Sequence, residues 1–291
     1  MTLRTVEPDE QRGAVVDFLV REQPHLVRPE VTLSFDDATA PERSVVGVDG
    51  PGGLVAVGVL ARWVWSPPGH RSLRVVVAGG ARGQGLGSAL HDHLLGLVPT
   101  GTDTLRTTTF DDDPAAGAVA EHWGYRPLQL SVMSGIDVTA AEAPVPPAGV
   151  TVEVVERADH AGGDVAAMLD RSQTNPERHT SGPLTLEQLC SVQAGDRALL
   201  SVVRVDGRPA AICAAVHAGV EGYVAYTGVD PDHRGHGLAA LAKRVVHHEA
   251  RRRGVVRLAT ENEQHNDGIR RLNERLGYRV LFGTWRWTRP V

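Results

Sequence analysis

The sequence predicts a mixed α/β fold built twice in tandem, and three observations carry that expectation. The turn RGQGLG begins at Arg82 and RGHGLA at Arg234, 152 residues apart. HWGYRPL and RLGYRVL place Gly124 and Gly277 at nearly the same spacing, 153 residues. More loosely, SVVGVDGPGGLVAVGVLARW matches LLSVVRVDGRPAAICAAVHA, two β-rich runs that each fold back at a DG turn. A shared offset across separate markers is the trace left by duplication of one domain of about 140 to 150 residues.

Each copy reads as a strand, one or two helices, a hairpin of strands, a strand ending at the glycine turn, a helix, a strand, a helix and a final strand pair. In the second copy the strand before the turn runs from Gly222 to Val229, and the helix LAALAKRVVHHEARRR follows, closed by Gly254 where a C-terminal glycine belongs. VVRLATEN supplies the next strand. The last helix, DGIRRLNERL, ends at Gly277 by the same logic, and YRVLFGTWRWT supplies the arm of a final hairpin. The Ala/Pro-rich stretch from Ala140 to Gly149 reads as a linker, so the expected domains are residues 1–139 and 150–291 on either side of it.

At 291 residues the chain is long enough for two cores, and 42% hydrophobic with 22% charged residues is the balance of a globular protein. A net charge of -5 gives no basic field to hold nucleic acid. The N-terminus lacks the cationic start and apolar middle of a signal peptide, and no apolar run approaches the roughly 18 residues of a membrane span. The expectation is a cytoplasmic monomer or homodimer without membrane attachment and without a metal. Cys213, inside AAICAAV, is expected as a packed thiol rather than a nucleophile or a disulfide partner of Cys190. Lys243 is the only lysine, which codon usage in a GC-rich genome accounts for.

The chemistry gathers at the turns. A strand that passes through a short loop into a helix leaves the first N–H groups of that helix unpaired, and those donors, with the positive end of the dipole, suit a phosphate. Gly235 and Gly237 keep side chains clear so that an anion can touch the backbone, and Arg234 adds a forked cation; Arg82, Gly83 and Gly85 repeat the pattern. One glycine turn ahead of a helix is often only a turn. Two at one spacing, each between a strand and a helix, argue for a diphosphate. The P-loop pattern GxxxxGK[ST] is missing and no acidic residue follows at dinucleotide spacing, so ATP and NAD fit poorly.

These residues resemble the GNAT superfamily of acetyl-CoA-dependent N-acetyltransferases, whose signature after a strand is [Q/R]-x-x-G-x-[G/A]. Arg82, Gly85 and Gly87 match it in the first copy, and Arg234, Gly237 and Ala239 in the second. The family's V-x-P-x-x-R lead-in is met by Val229, Pro231 and Arg234, and its N-x(10)-G-[FY] stretch by Asn266, Gly277 and Tyr278. The resemblance covers nearly all of the second copy. The first matches at the signature and at WGY, with GGAR in place of the lead-in and Asp113 where the asparagine would fall.

The resemblance implies two tandem GNAT-like acyltransferase domains, each a central, mostly antiparallel mixed sheet flanked by helices, the first of them degenerate. It implies acetyl-CoA as co-substrate, with its pyrophosphate on the amides of Gly235, His236, Gly237, Leu238 and Ala239. The pantetheine arm would pair along the strand ending at Val229 like an added strand, Asn266 would border the same molecule, and a small-molecule or peptide amine would accept the acyl group.

Glu221 lies thirteen residues before Arg234, at the position of the strand glutamate that serves as base in histone-type GNAT enzymes, where the first copy has Gly69. On a regular strand Glu221, Tyr223, Ala225, Thr227 and Val229 share one face. A solvated strand end is the plainer reading of Glu221, with His217 and Glu261 as rival bases. His247 and His248 are expected on a solvated helix face. Asn273 stands where many GNAT enzymes carry the tyrosine that protonates the CoA thiolate, so it is expected to hydrogen-bond that thiolate, with the thioester carbonyl at the Val229 amide. The expected function is N-acetyl transfer by the second copy. The alternatives are a non-catalytic acyl-CoA-binding or regulatory protein, and an enzyme similar to mycothiol synthase, which shares the two-copy layout.

Overall fold

The two glycine turns fold alike. In the computed structural model, which describes residues 2–26, 28–37, 39–155, 162–174, 184–186 and 198–291, Gly83 and Gly235 have φ of +75° and +80°, and Gly85 and Gly237 both have φ of +77°. Arg82 and Arg234 are extended in both turns, each following a single 3₁₀ turn. Four left-handed positions explain why glycine recurs at this spacing, since an L side chain there crowds the backbone. A Cβ added at Gly237 meets no atom within 4 Å, so Gly237→Ala costs backbone strain alone. Chemical denaturation is expected to show a loss of roughly 1–2 kcal/mol.

The first half of the chain contributes β1 (Arg4–Thr5), α1 (Val16–Glu22), α2 (Arg28–Leu33), β2 (Glu42–Gly50), β3 (Gly53–Arg62), β4 (His70–Val77), α3 (Leu86–Leu95), β5 (Thr104–Phe110), α4 (Pro114–His122) and β6 (Arg126–Asp137). The second half contributes β7 (Val150–Val155), α5 (Gly163–Ser172), β8 (Ala198–Val205), β9 (Arg208–Ala218), β10 (Glu221–Val229), α6 (Leu238–Arg252), β11 (Arg257–Glu263), α7 (Asp267–Arg275) and β12 (Arg279–Pro290). Gly254 and Gly277 follow α6 and α7 with φ of +80° and +95°, ending both helices as the sequence suggests.

One compact unit comprises Met1–Leu130 with Gly283–Val291, and its sheet runs β1-β2-β3-β4-β5-β12. The other comprises Ser131–Phe282, with the order β6-β11-β10-β9-β8-β7. Within each sheet one pair is parallel, β4 with β5 and β10 with β11; the other neighbours are antiparallel. The halves therefore exchange their last strands: Thr284–Pro290 of β12 pairs with Thr104–Phe110, and Ser131–Asp137 of β6 pairs with Arg257–Glu263. The final hairpin expected inside each copy does not form. Packing accounts for the difference, because Trp287 of β12 is buried in the first unit's core beside Leu73 and Leu105, with its Nε1 donating to Thr109 Oγ1 at 2.9 Å.

In the second unit, α6 lays Leu238, Leu241, Ala242, Val246 and Ala250 on one sheet face, against Cys213, Ala215, Val224 and Leu258. On the other face, Val165, Met168 and Leu169 of α5 meet Leu200, Val202, Ile212 and Ala214. Cys213 is fully buried as expected; Cys190 lies outside the described residues. His247 departs from its expected solvated position. It is 5% exposed, because α6 is apolar over a stripe wide enough to carry it inward, and its Nε2 shares a 2.9 Å hydrogen bond with the Tyr278 hydroxyl.

Candidate active site

The parallel pair β10–β11 holds only from Glu221 to Tyr223, opposite Arg257 to Ala259, and the strands then part. On its other edge β10 bulges against β9: the register shifts between Val224 and Tyr226, leaving Ala225 extra. The bulge reverses the alternation of side chains. Glu221, Tyr223, Tyr226 and Gly228 are opposite Ala218, Val216, Ala214 and Ile212, on the α5 face, whereas Thr227 and Val229 are opposite Cys213 and Ala211, on the α6 face. Glu221 and Val229 therefore do not share a face, contrary to the expectation for a regular strand.

The Asp230 amide donates to Ala210 O at 2.8 Å, which marks that pair as hydrogen-bonded. By antiparallel alternation the amides of Val229 and Thr227 then turn away from β9, towards the gap left by β11. Thr260 Oγ1 donates to Val224 O at 3.1 Å and bridges the strands where they separate. The gap opens into a cleft of about 900 Å³. Val229, Arg234, Gly235, Gly237, Leu238 and Ala239 line it, and so does Asn266. His236, exposed with its Nδ1 3.3 Å from His233 O, is not on the wall. Neither is Glu221; the carboxylate on the wall is Glu261.

Electrostatics favour an anion at the turn end of this cleft. Gly237 caps α6 without any side-chain hydrogen bond, so the first-turn amides of the helix are left to face a ligand. Arg234 is held beside them, donating to Thr174 Oγ1 at 2.5 Å and to Ser172 O at 3.4 Å. Beneath the turn Asp230 is 1% exposed and accepts from Arg171 Nε at 3.0 Å and from the Asp232 amide at 3.0 Å. Burial alone would raise its carboxyl, but the Arg171 guanidinium and that amide hold it below the ordinary value.

Asn266 caps α7, accepting from the Ile269 amide at 3.5 Å, and Asp113 caps α4 from the Ala116 amide at 3.0 Å. The difference between the copies at this position is an exchange of one good cap for another. Asn273 is buried off the cleft, with its Nδ2 donating to Asn262 Oδ1 at 2.8 Å. Sequence reasoning missed Lys243, which lines the cleft from α6; its signal was a lone lysine placed on an otherwise apolar helical stripe.

In the first unit the frame recurs, with β4 and β5 paired in parallel only over His70–Ser72 and Thr104–Arg106. Ahead of the glycine turn, in the 3₁₀ turn that leads to it, the Glu22 carboxylate accepts from the Gly79 amide at 3.1 Å. Glu22 is held below the ordinary carboxylate range, chiefly by its hydrogen bond to Arg21 and further by that amide and the Arg82 charge. Arg82 itself donates from Nε to Val77 O at 3.3 Å.

A parallel pair that parts beside a glycine turn, with a helix amino end at its mouth, forms a long cleft whose turn end suits an anion. Residues 165–278 match the acetyltransferase (GNAT) family. The whole chain is similar to a tandem GNAT protein from the clavulanic acid biosynthesis pathway, at 19% identity and a TM-score of 0.78 over 99% of this chain and 98% of that one. It is also similar to a GCN5-related N-acetyltransferase from Sphaerobacter thermophilus (20% identity, TM-score 0.72, 99% and 95% covered) and to a putative acetyltransferase from Pyrococcus horikoshii (12%, 0.63, 100% and 89%). No curated protein matches the sequence. Residues 165–278 thus match the GNAT acetyltransferase family, and the chain as a whole is folded like a tandem GNAT protein. GNAT acetyltransferases use acetyl-CoA, typically with amine acceptors. Among the described residues no helix is long and apolar enough to cross a membrane, and no cluster of His, Cys, Asp or Glu could hold a metal ion.

Proposed function

We propose that the second unit is an acyl-CoA-dependent N-acyltransferase that moves an acetyl group from acetyl-CoA to a primary amine. The observation that carries this reading is the cleft that runs from the parted β10–β11 pair to the uncapped amino end of α6, with Arg234 at its mouth. The pyrophosphate binds the amides from Gly235 to Ala239 and the Arg234 guanidinium. The pantetheine arm adds to β10 through the Thr227 and Val229 amides, and the Val229 amide steadies the oxyanion that forms on the thioester carbonyl. The acceptor amine approaches on the α5 face and loses its proton to a carboxylate there. Glu261 lines the cleft on that face and is the first candidate, with Glu221 behind it on the same face. As the C–S bond breaks, the electron pair leaves on the CoA sulfur.

The first copy, residues 1–139, is read as degenerate because Gly69 stands where the second copy has Glu221 and Asp113 where it has Asn266. A binding-only reading gains support from one observation, that the side chain in the thiolate-protonating position, Asn273, is off the cleft. Release of free thiol with a panel of primary amines separates the two readings: binding without release favours the second.

Acetyl-CoA is expected to raise the melting temperature, since a ligand at 100 times its Kd adds about 2.7 kcal/mol to the folded state. Arg234→Ala should shrink that shift, and Arg82→Ala should leave it intact. Loss of the shift in Arg82→Ala, with Arg234→Ala unaffected, would place the binding site in the first unit.

A further inference from the structure

Both units place a buried basic side chain at the same helical position, and the one in the second unit has nothing to bond among the described residues. His91 on α3 and Lys243 on α6 are 152 residues apart, the spacing of the two turns. Each lies against the tyrosine of its GY pair: the His91 ring is 6.1 Å from that of Tyr125, and Lys243 Nζ is 4.7 Å from the Tyr278 ring centroid. They are 2% and 0% exposed; His91 Nδ1 lies 3.5 Å from the Asp92 carboxylate, whereas Lys243 Nζ has no hydrogen-bond partner among the described residues. A buried ammonium without a partner is costly to keep. In the second unit the position is part of the cleft wall, on the α6 face with Val224, Leu238 and Thr260.

Among the described residues, the charged and titratable groups around Lys243 supply no standing counterion. Arg244 and His247 share its helix, Arg275 comes from α7, Cys213 from β9, and Tyr278 covers the amine with its ring. Glu261 of β11 is an anion, but it alternates with Leu258 and Thr260 and so faces the α5 side of the sheet. Apart from the pyrophosphate at the amino end of α6, the anion to be expected on this side of the cleft is one the chemistry produces. Acyl transfer produces the CoA thiolate, and Asn273, in the position of the usual acid, bonds Asn262 instead.

We propose that Lys243 is the proton donor to the departing CoA thiolate, an inference that rests on the acyltransferase reading above. As the C–S bond breaks and its electron pair goes to sulfur, one Nζ–H proton passes to that sulfur. The products are the CoA thiol and a neutral amine, which regains a proton from solvent after CoA has left the cleft. Burial lowers the Lys243 amine to about 8, opposed only by the Cys213 thiol. That value is close to a thiol's ordinary pKa of about 8.5, so the transfer is nearly balanced in energy and the donor recharges at neutral pH.

The test is an ultraviolet titration of the thiol of bound CoA, the probe being CoA itself. In the wild type the bound thiol should ionise at least about one pH unit below free CoA, a tenfold change in thiolate fraction. Lys243→Met should return it to the free value. Lys243→Arg, which keeps the charge but holds its proton at neutral pH, should retain the thiolate shift while lowering kcat at unchanged KM for acetyl-CoA. A bound thiol that titrates alike in wild type and Lys243→Met, or at the free value in wild type, overturns the proposal. If Lys243→Met does not fold, the wild-type titration and the Lys243→Arg kinetics decide it. Failure of CoA to bind the wild type would instead remove the acyltransferase reading.

Discussion

Glu261→Gln is expected to lower acyl-transfer turnover by about 10²–10⁴-fold, the usual contribution of a general base, with acetyl-CoA affinity nearly unchanged. An amine acceptor arrives largely as ammonium at neutral pH and cannot attack until it loses a proton. The bulge at Ala225 puts Glu221 and Tyr226 on the α5 face, and parallel pairing with β10 puts Glu261 there too. Of the two carboxylates only Glu261 borders the cleft. Glu221→Gln should therefore cost less than about tenfold. The Glu261→Gln deficit should narrow at high pH, where more of the amine is already neutral. Reversal of the two effects in steady-state kinetics would return the base to Glu221, acting along the strand or through a water.

Acid should destabilise the second unit through His247. Burial first, and then the Lys243 and Arg244 charges, lower its imidazole from 6.5 to about 3. The unfolded chain takes up a proton as pH falls below 6.5, while the folded chain resists it until about pH 3. The unfolded state thus binds more protons across that window, and stability drops as pH drops. At about 1.4 kcal/mol per unit, the full loss is on the order of 5 kcal/mol, fully incurred only near pH 3. His247→Gln keeps a polar partner for the Tyr278 hydroxyl and removes the titration. Its unfolding free energy, measured by denaturant at pH 7 and pH 4, should depend less on pH than that of the wild type. Equal pH dependence in the two proteins would show that His247 is not the group responsible.

The local features were legible because local rules govern them. Glycines at two turns and two helix ends announced left-handed backbone, and each of Gly83, Gly85, Gly235, Gly237, Gly254 and Gly277 has positive φ. Cys213 inside an alanine-rich run read as core, and it is core. The non-local features were not legible. Nothing in YRVLFGTWRWT says which sheet edge it will join, and burial of Trp287 beside Leu105 is what assigns β12 to the first half's strands. A bulge is a mismatch between two strands, so the alternation of β10 gave no sign that Ala225 would part Glu221 from Val229. The charged neighbours of His247 in sequence pointed to solvent. The stripe spanning Leu241, Val245 and Val246 carried it inward together with Lys243, four residues earlier on the same face.

Hydrogen exchange with and without acetyl-CoA tests the central claim most directly, because it reads the parted strand and the turn by position in both units at once. Slowed exchange is expected across residues 224–240, centred on the Thr227 and Val229 amides and the first turn of α6, with residues 72–88 unchanged. Protection confined to residues 72–88, or none in either segment under saturating acetyl-CoA, would contradict the assignment of the acyl-CoA site to the second unit.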